Sequence, residues 1–239
     1  MIQWYQGKVQ GILQESPSVR RFFVEIQETS HFNFKAGQFV TFDLPIGEKR
    51  MQRWRSYSIA NAPDGGNVIE LCIVHVENGA ASTYFFETVQ VGTFLKFKGP
   101  DGAFCLPDKL NTHVVMICTG TGIAPFRSMI LMLAKTHPST NIHLIFGCRM
   151  ESDILYRAEL DKLAQNCSWF TYDICLSRED LKGTRKGYVH QVYLEKYFGD
   201  TENKRFYICG WSKMVDEAVE NLILKLGCDR SQVLYELYG

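Results

Sequence analysis

Gly120-Thr121-Gly122 follows the apolar run Val114-Val115-Met116-Ile117-Cys118 and precedes Pro125 and a stretch of helical spacing. The run suits a buried parallel strand, and the glycines let the backbone turn tightly and approach a ligand closely. Unpaired amides and the positive end of the following helix favour an anion, so the segment reads as a phosphate site. Pro125 fits a first helical turn, whose amides lack intrahelical partners. A second group is Arg53-Trp54-Arg55-Ser56-Tyr57-Ser58. As a strand it offers a guanidinium suited to a diphosphate at Arg55 and a flat aromatic at Tyr57, with the Ser58 hydroxyl on the opposite face or at the strand end. The third is Val74-His75-Val76 leading into Glu77-Asn78-Gly79-Ala80-Ala81-Ser82-Thr83, a flexible glycine and two hydroxyls ahead of a helix start near Tyr84. His75 reads as a structural strand residue and not as a catalyst.

These groups need elements to hold them. From Tyr5 to Phe104, short segments rich in β-branched and aromatic residues (7–13, 20–26, 38–44, 56–60, 68–76 and 93–98) are divided by turns such as Asp64-Gly65-Gly66 and Pro100-Asp101-Gly102. About six strands at this spacing predict a small antiparallel barrel, interrupted by one helix near Ser82 to Val89. After Val114 the period changes. Phe126, Met129, Ile130, Leu133 and Ala134 share one helix face, and strands (142–146, 169–176, 205–209, 233–238) alternate with helices (154–165, 188–197, 214–226). That alternation predicts a parallel sheet with helices on both faces and ligands at the carboxyl ends of its strands. The fold expected is therefore two domains, an antiparallel β-barrel over 1–106 followed by an α/β parallel-sheet domain over 113–239. Four strand ends then converge on one site: Gly120-Thr121-Gly122, Gly147-Cys148-Arg149, Ser177-Arg178 and Cys209-Gly210-Trp211.

Composition sets outer bounds. In 239 residues, 46% apolar, there is material for two cores, and 26 basic against 26 acidic residues give no global attraction to nucleic acid or to an anionic membrane. The start, Met1-Ile2-Gln3-Trp4-Tyr5-Gln6, lacks the basic flank and apolar core of a signal peptide, and no stretch approaches the roughly 20 apolar residues of a spanning helix. A cytoplasmic protein is expected. Eight scattered cysteines without a Cys-x-x-Cys pair or iron–sulfur spacing read as reduced thiols, and no metal site is expected.

Gly-Thr-Gly-Ile-Ala-Pro-Phe, with Ala124-Pro125 in place of the third glycine of the usual dinucleotide fingerprint, resembles the pyridine-nucleotide loop of the ferredoxin–NADP reductase superfamily. Arg-x-Tyr-Ser followed by Ile-Ala-Asn is similar to the flavin signature of the same superfamily, and the four strand ends match its nucleotide loops in order and approximate spacing. The resemblance spans nearly the whole chain. It implies FAD and NADPH as cofactors, with NADH possible. For FAD it implies Arg55, Ser56, Tyr57, Ser58, Val74, Val76, Gly79, Ala81, Ser82, Thr83, Thr121 and Tyr238. For NADP it implies Gly120, Thr121, Gly122, Pro125, Cys148, Arg149, Ser177, Arg178, Lys186, Tyr188, Cys209 and Gly210. Ser58, Cys209 and Glu236 would surround the hydride-transfer point, Cys209 shaping the contact and not acting as a nucleophile. Tyr238, followed here by Gly239, would cover the second flavin face, with Tyr235 as the other candidate aromatic. The cluster Ser177-Arg178 with Arg185-Lys186-Gly187-Tyr188 favours NADPH, whereas Gly187-Tyr188-Val189-His190 also resembles NADH-using oxygenase reductases.

The activity implied is hydride transfer from NADPH to FAD, then single-electron delivery to a separate ferredoxin or flavodoxin. An NADH-using reductase component of an oxygenase or desaturase, a free-flavin reductase, and a nucleotide-binding sensor or electron-transfer subunit are the alternatives. A basic rim for a small acidic acceptor would draw on Arg50, Arg53, Lys96 and Lys98.

Overall fold

The computed structural model describes residues 3–136 and 138–238; residues 1 and 2 of the amino-terminal reading and Gly239 lie outside the described residues. The chain divides into two compact units, one of Met1–Leu106 with Ala124–Met132 and one of Pro107–Ile123 with Leu133–Gly239.

In the first unit, β1 (Trp4–Ser16), β2 (Val19–Ile26), β3 (Phe39–Asp43), β4 (Trp54–Ser58), β5 (Val68–Val74) and β6 (Phe94–Asp101) form one sheet in the order β4-β3-β6-β1-β2-β5. Every pairing is antiparallel. The two ends of that order meet through an Ile59↔Leu71 bridge and an Ala60 amide to Glu70 carbonyl bond of 2.8 Å, which closes the barrel. Alternation along β2 buries Phe22, Val24 and Ile26, and these pack with Phe42, Phe85 and Phe97 in one core. Each full burial of such a side chain contributes about 1.5–3 kcal/mol. Two short helices interrupt the strands. α1 (Arg50–Arg53) lies just ahead of β4, and α2 (Ala80–Thr83) runs directly into a π-helical turn, Tyr84–Thr88, which delivers Phe85 to the core.

The second unit carries a six-stranded parallel sheet. Its strands are β7 (His113–Thr119), β8 (Ile142–Cys148), β9 (Phe170–Leu176), β10 (Arg185–Lys186), β11 (Lys204–Trp211) and β12 (Val233–Tyr238), in the order β10-β9-β8-β7-β11-β12. The central strands are apolar along their length because both faces are covered, as in other parallel sheets. The helices are α3 (Ile123–Thr136), α4 (Arg157–Asn166), α5 (Val189–Tyr197) and α6 (Ser212–Glu220). The chain steps outward from β7 to β10 and returns to the other side of β7 as β11. The sheet therefore has its topological switch point between β7 and β11.

Two elements depart from the expectation. The helix expected over 214–226 starts at Ser212 and changes to a π turn at Asn221–Lys225, where the buried Asn221 amide donates to Tyr193 Oη at 2.9 Å. And α3, expected wholly with the second domain, gives residues 124–132 to the first unit, where Arg127 donates to the Ala60 carbonyl at 2.8 Å and Ser128 to the Asn61 carbonyl at 2.6 Å.

Candidate active site

In the first unit, β4 is paired along one edge with β3, so strand alternation separates its side chains. Arg55 and Tyr57 share one face. Tyr57 packs edge-on against Phe42 and Phe85, at ring-centroid distances of 6.1 and 5.3 Å. Burial pushes the Tyr57 phenol up, opposed by the Arg55 guanidinium, so it stays a neutral hydroxyl. Arg55 donates to the Met51 and Trp54 carbonyls at 3.0 and 2.8 Å, which folds the guanidinium over the α1–β4 junction. Ser56 points the other way, its hydroxyl 2.9 Å from that of Thr41 and exposed. Ser58, the last residue of the strand, is buried.

Phe85 links this face to the Gly79–Thr83 turn, because the helix that leads into it begins at Gly79–Ala80. Ser82 is buried and stitches that turn: its Oγ accepts from the Val76 amide at 3.1 Å and lies within hydrogen-bond reach of the Val76 and Gly79 carbonyls. A Cβ at Gly79 would come 2.7 Å from the same Oγ, so the turn closes only around glycine. Ala81 is buried against the barrel core, and Thr83 continues the helix. Val74 ends β5 and Val76 is 38% exposed at the lip of the turn. His75 rests against Phe86 at 5.0 Å, in keeping with a packing role.

In the second unit, Gly120–Gly122 form a single 3₁₀ turn between β7 and α3. Gly120 has φ +53°, a conformation that suits glycine. Gly122 meets the end of β11: a Cβ there would lie 2.8 Å from the Cys209 carbonyl carbon and 3.1 Å from Gly210 Cα, with the Cys209 oxygen closer still. The loop after β7 and the Cys209-Gly210 pair thus touch backbone to backbone at the switch point. Thr121 and Pro125 are buried at this turn. Thr119 escapes sequence reasoning, since a β-branched residue at a strand end carries no signal. Its Oγ1 is buried without a hydrogen-bond partner among the described residues, 2.7 Å from where a Gly210 Cβ would project. An orphan hydroxyl at the switch point, between two glycine-bearing strand ends, is a fit for a bound dinucleotide.

Cys209 is fully buried, and β12 brings Glu236 opposite it and Tyr238 opposite Trp211. Burial and the Glu236 carboxylate push the thiol well up, and a hydrogen bond with Tyr238 opposes them only in part. At neutral pH it is a thiol, not a nucleophilic thiolate. Tyr235 alternates to the other face and is 47% exposed. Cys118 and Cys148 are likewise pushed up by burial, and Cys175 to about 12.

The outer strand ends also come together. Ser177 and Arg178 amides donate to the Cys148 and Arg149 carbonyls at 3.1 and 2.9 Å, and the Gly187 amide donates to the Leu176 carbonyl at 2.8 Å. Arg149, Arg178, Lys186 and Tyr188 are all exposed along this rim. Lys186 has Asp180 at 3.9 Å, and Arg185 is turned toward Asp173 and Glu195 at 3.8 and 3.6 Å.

Residues 6–105 match the oxidoreductase FAD-binding domain family and residues 116–220 the oxidoreductase NAD-binding domain family. The protein is thus a two-domain flavoenzyme oxidoreductase that uses FAD and a pyridine nucleotide. It is 33% identical to ferredoxin–NADP reductase B of Sorangium cellulosum, over 98% of this chain and 97% of that one. The chain belongs to the ferredoxin reductase-like superfamily. It is also 29% identical to a glycine betaine monooxygenase reductase subunit of Chromohalobacter salexigens, over 95% of this chain but 62% of that longer one. Among solved structures, a ferredoxin NADP+ reductase from Neisseria gonorrhoeae with bound FAD and NADP shares the fold, with a TM-score of 0.82, 24% identity and 99% of each chain covered. No described helix is long and apolar enough to cross a membrane.

Proposed function

We propose that the protein moves hydride from NADPH to N5 of FAD and then passes single electrons to a separate protein acceptor, a small iron–sulfur protein or a flavodoxin. Residues 1–106 carry the flavin and residues 113–239 the nucleotide. The observation that carries the reading is the backbone contact of Gly122 with Cys209-Gly210, which brings two glycine-bearing strand ends together at the switch point, the place where open parallel sheets take their ligands. The full-length likeness to a ferredoxin–NADP reductase supports it.

Arg55 binds the flavin diphosphate through charge-assisted hydrogen bonds, and the Gly79–Thr83 turn, held in shape by Ser82, offers its amides to the same group. Ser56, Val74, Val76 and Ala81 contribute backbone and lining. Tyr57 and Tyr238 take the two faces of the flavin ring. Ser58, Cys209 and Glu236 surround the transfer point, Cys209 as a compact neutral thiol that fixes how closely the rings approach. Gly120, Thr121, Gly122 and Pro125 cradle the dinucleotide diphosphate, with Thr121 also serving the flavin side. Cys148, Arg149, Ser177, Arg178, Lys186 and Tyr188 receive the adenosine end. The cations Arg149, Arg178 and Lys186 favour NADPH, because a 2′-phosphate needs positively charged donors.

A second reading, an NADH-using oxygenase reductase component, draws on the likeness to the glycine betaine monooxygenase reductase subunit and on Glu179 and Asp180 beside the cations. Anaerobic titration of the FAD-loaded protein tests both. Bleaching of the oxidised flavin spectrum by NADPH is expected, with kcat/KM for NADPH above that for NADH. A spectrum that stays oxidised with either nucleotide would sink the enzyme reading, and the reverse preference would move the assignment to NADH. Ser58→Ala is expected to retain FAD and to slow stopped-flow flavin reduction by about tenfold to a hundredfold, the scale of misplacing the reacting groups. An unchanged rate would remove Ser58 from the site.

A further inference from the structure

Tyr188 presents a physical puzzle. The residue is 61% exposed, yet several neighbours fix its place. Its amide donates to Gln191 Oε1 at 2.9 Å in a capping box at the start of α5. The preceding residue, Gly187, has φ +118°, and a Cβ there would collide with the same Gln191 amide oxygen, so the turn admits glycine and little else. The His190 imidazole lies parallel to the Tyr188 ring, with centroids 5.6 Å apart and an interplanar angle of 16°. His190 is held in turn from α6, its Nδ1 3.3 Å from Glu217 Oε1. A glycine turn, a helix cap, an imidazole and a carboxylate thus converge on one exposed tyrosine.

Folding alone does not call for such an arrangement, since an exposed tyrosine buries little surface. It suits a platform. The imidazole lies offset and parallel beside the ring, and the exposed tyrosine follows Lys186 at the rim where Ser177-Arg178 and Cys148-Arg149 come together. A flat, electron-rich heterocycle stacks on such a face, and fixing the ring in advance removes the ordering cost that a mobile side chain would incur on binding.

We infer that His190 and Glu217 are positioning residues which hold Tyr188 as a stacking platform for the purine of the nucleotide, Glu217 fixing the imidazole and the imidazole fixing the ring. The inference rests on the nucleotide site proposed above. It predicts a contribution common to phosphorylated and unphosphorylated adenosine ends, since both carry the purine, whereas the neighbouring cations act on the 2′-phosphate alone.

The test is calorimetric binding of adenosine 2′,5′-bisphosphate and of AMP to the FAD-loaded protein, with no turnover involved. Tyr188→Leu is expected to raise both dissociation constants by about tenfold. His190→Ala and Glu217→Gln are expected to raise both by a common factor, between about 2-fold and 12-fold, the range of one aromatic pair. His190→Phe, which keeps a flat ring, is expected to restore most of the loss. Lys186→Ala is expected to weaken the bisphosphate alone. If Tyr188→Leu weakens binding and His190→Ala and Glu217→Gln do not, the positioning inference is overturned and the nucleotide site stands. If Tyr188→Leu changes neither constant, or the parent protein binds neither probe, the assignment of Tyr188 to the nucleotide falls, and the inference with it.

Discussion

Gly122→Ala is expected to reduce nucleotide-driven flavin reduction by about a hundredfold or more and to destabilise the fold by about 1–3 kcal/mol. The added methyl projects at the Cys209 carbonyl carbon 2.8 Å away and at Gly210 Cα 3.1 Å away. These are backbone atoms of β11, which is paired with β7 on one side and β12 on the other. A flexible side chain could swing aside, but a strand held on both edges moves only by breaking its ladders. The turn must yield instead, and the turn is what aims the amides of the dinucleotide site. A shift of about 1 Å there is enough for the rate loss. Glycine is common in turns for reasons of φ, so the control is a glycine with open space, such as Gly227, where no atom lies within 4 Å of a built Cβ. Gly227→Ala is expected to carry only the left-handed strain of about 1–2 kcal/mol and no effect on reduction. Stopped-flow reduction and denaturant unfolding of the two variants measure the contrast. A Gly122→Ala protein that reduces its flavin at the parent rate would show that the close approach is not functional.

That contact illustrates what could be read from sequence and what could not. Gly120-Thr121-Gly122 and Cys209-Gly210 are each recognisable as strand-end turns, because glycine after an apolar run has few other uses. Their meeting is a consequence of strand order, which places β11 beside β7 although the 84 residues 120–203 separate the two strands and no local pattern spans them. The barrel strands are legible for a similar reason, since β-branched and aromatic runs such as Phe22–Ile26, divided by turn residues, are a local signal. Within Arg55-Ser56-Tyr57-Ser58 alternation alone groups Arg55 with Tyr57, and it is the pairing with β3 that sends Ser56 to Thr41, away from both. Thr119 and Glu217 give no sequence signal, because an orphan hydroxyl and a helix-to-helix histidine contact exist only once the tertiary structure does. The Gln191 cap on Tyr188 sits at the third helical position and was in principle readable.

Glu70→Ala is expected to be the most destabilising single change in the first unit, at about 3–5 kcal/mol. Glu70 is 4% exposed on β5, and its two oxygens are divided between two guanidinia: Oε1 accepts from Arg21 at 2.6 Å and Oε2 from Arg127 at 3.0 Å. Arg127 is itself 6% exposed and comes from the 124–132 portion of α3, which belongs to this unit. Removing the carboxylate takes the shared anion from a guanidinium that water scarcely reaches, and breaking a buried ion pair by deleting one partner is costly. The opposite deletions should differ in size. Arg21 keeps a 3.2 Å contact with Glu15 and is 20% exposed along its side chain, so Arg21→Ala is expected to cost less than Glu70→Ala. The decisive variant removes both buried charges. Glu70→Leu combined with Arg127→Met is expected to recover much of the loss, because paired buried ions contribute little beyond well-packed apolar groups of similar volume. In a chain of this size 3–5 kcal/mol corresponds to a Tm lower by about 6–20 °C. Thermal unfolding of the two single variants and the double variant separates the alternatives: if Glu70→Ala and the double variant lose equal stability, the cost is one of packing, and the carboxylate between the two arginines is not what holds residues 124–132 to the barrel.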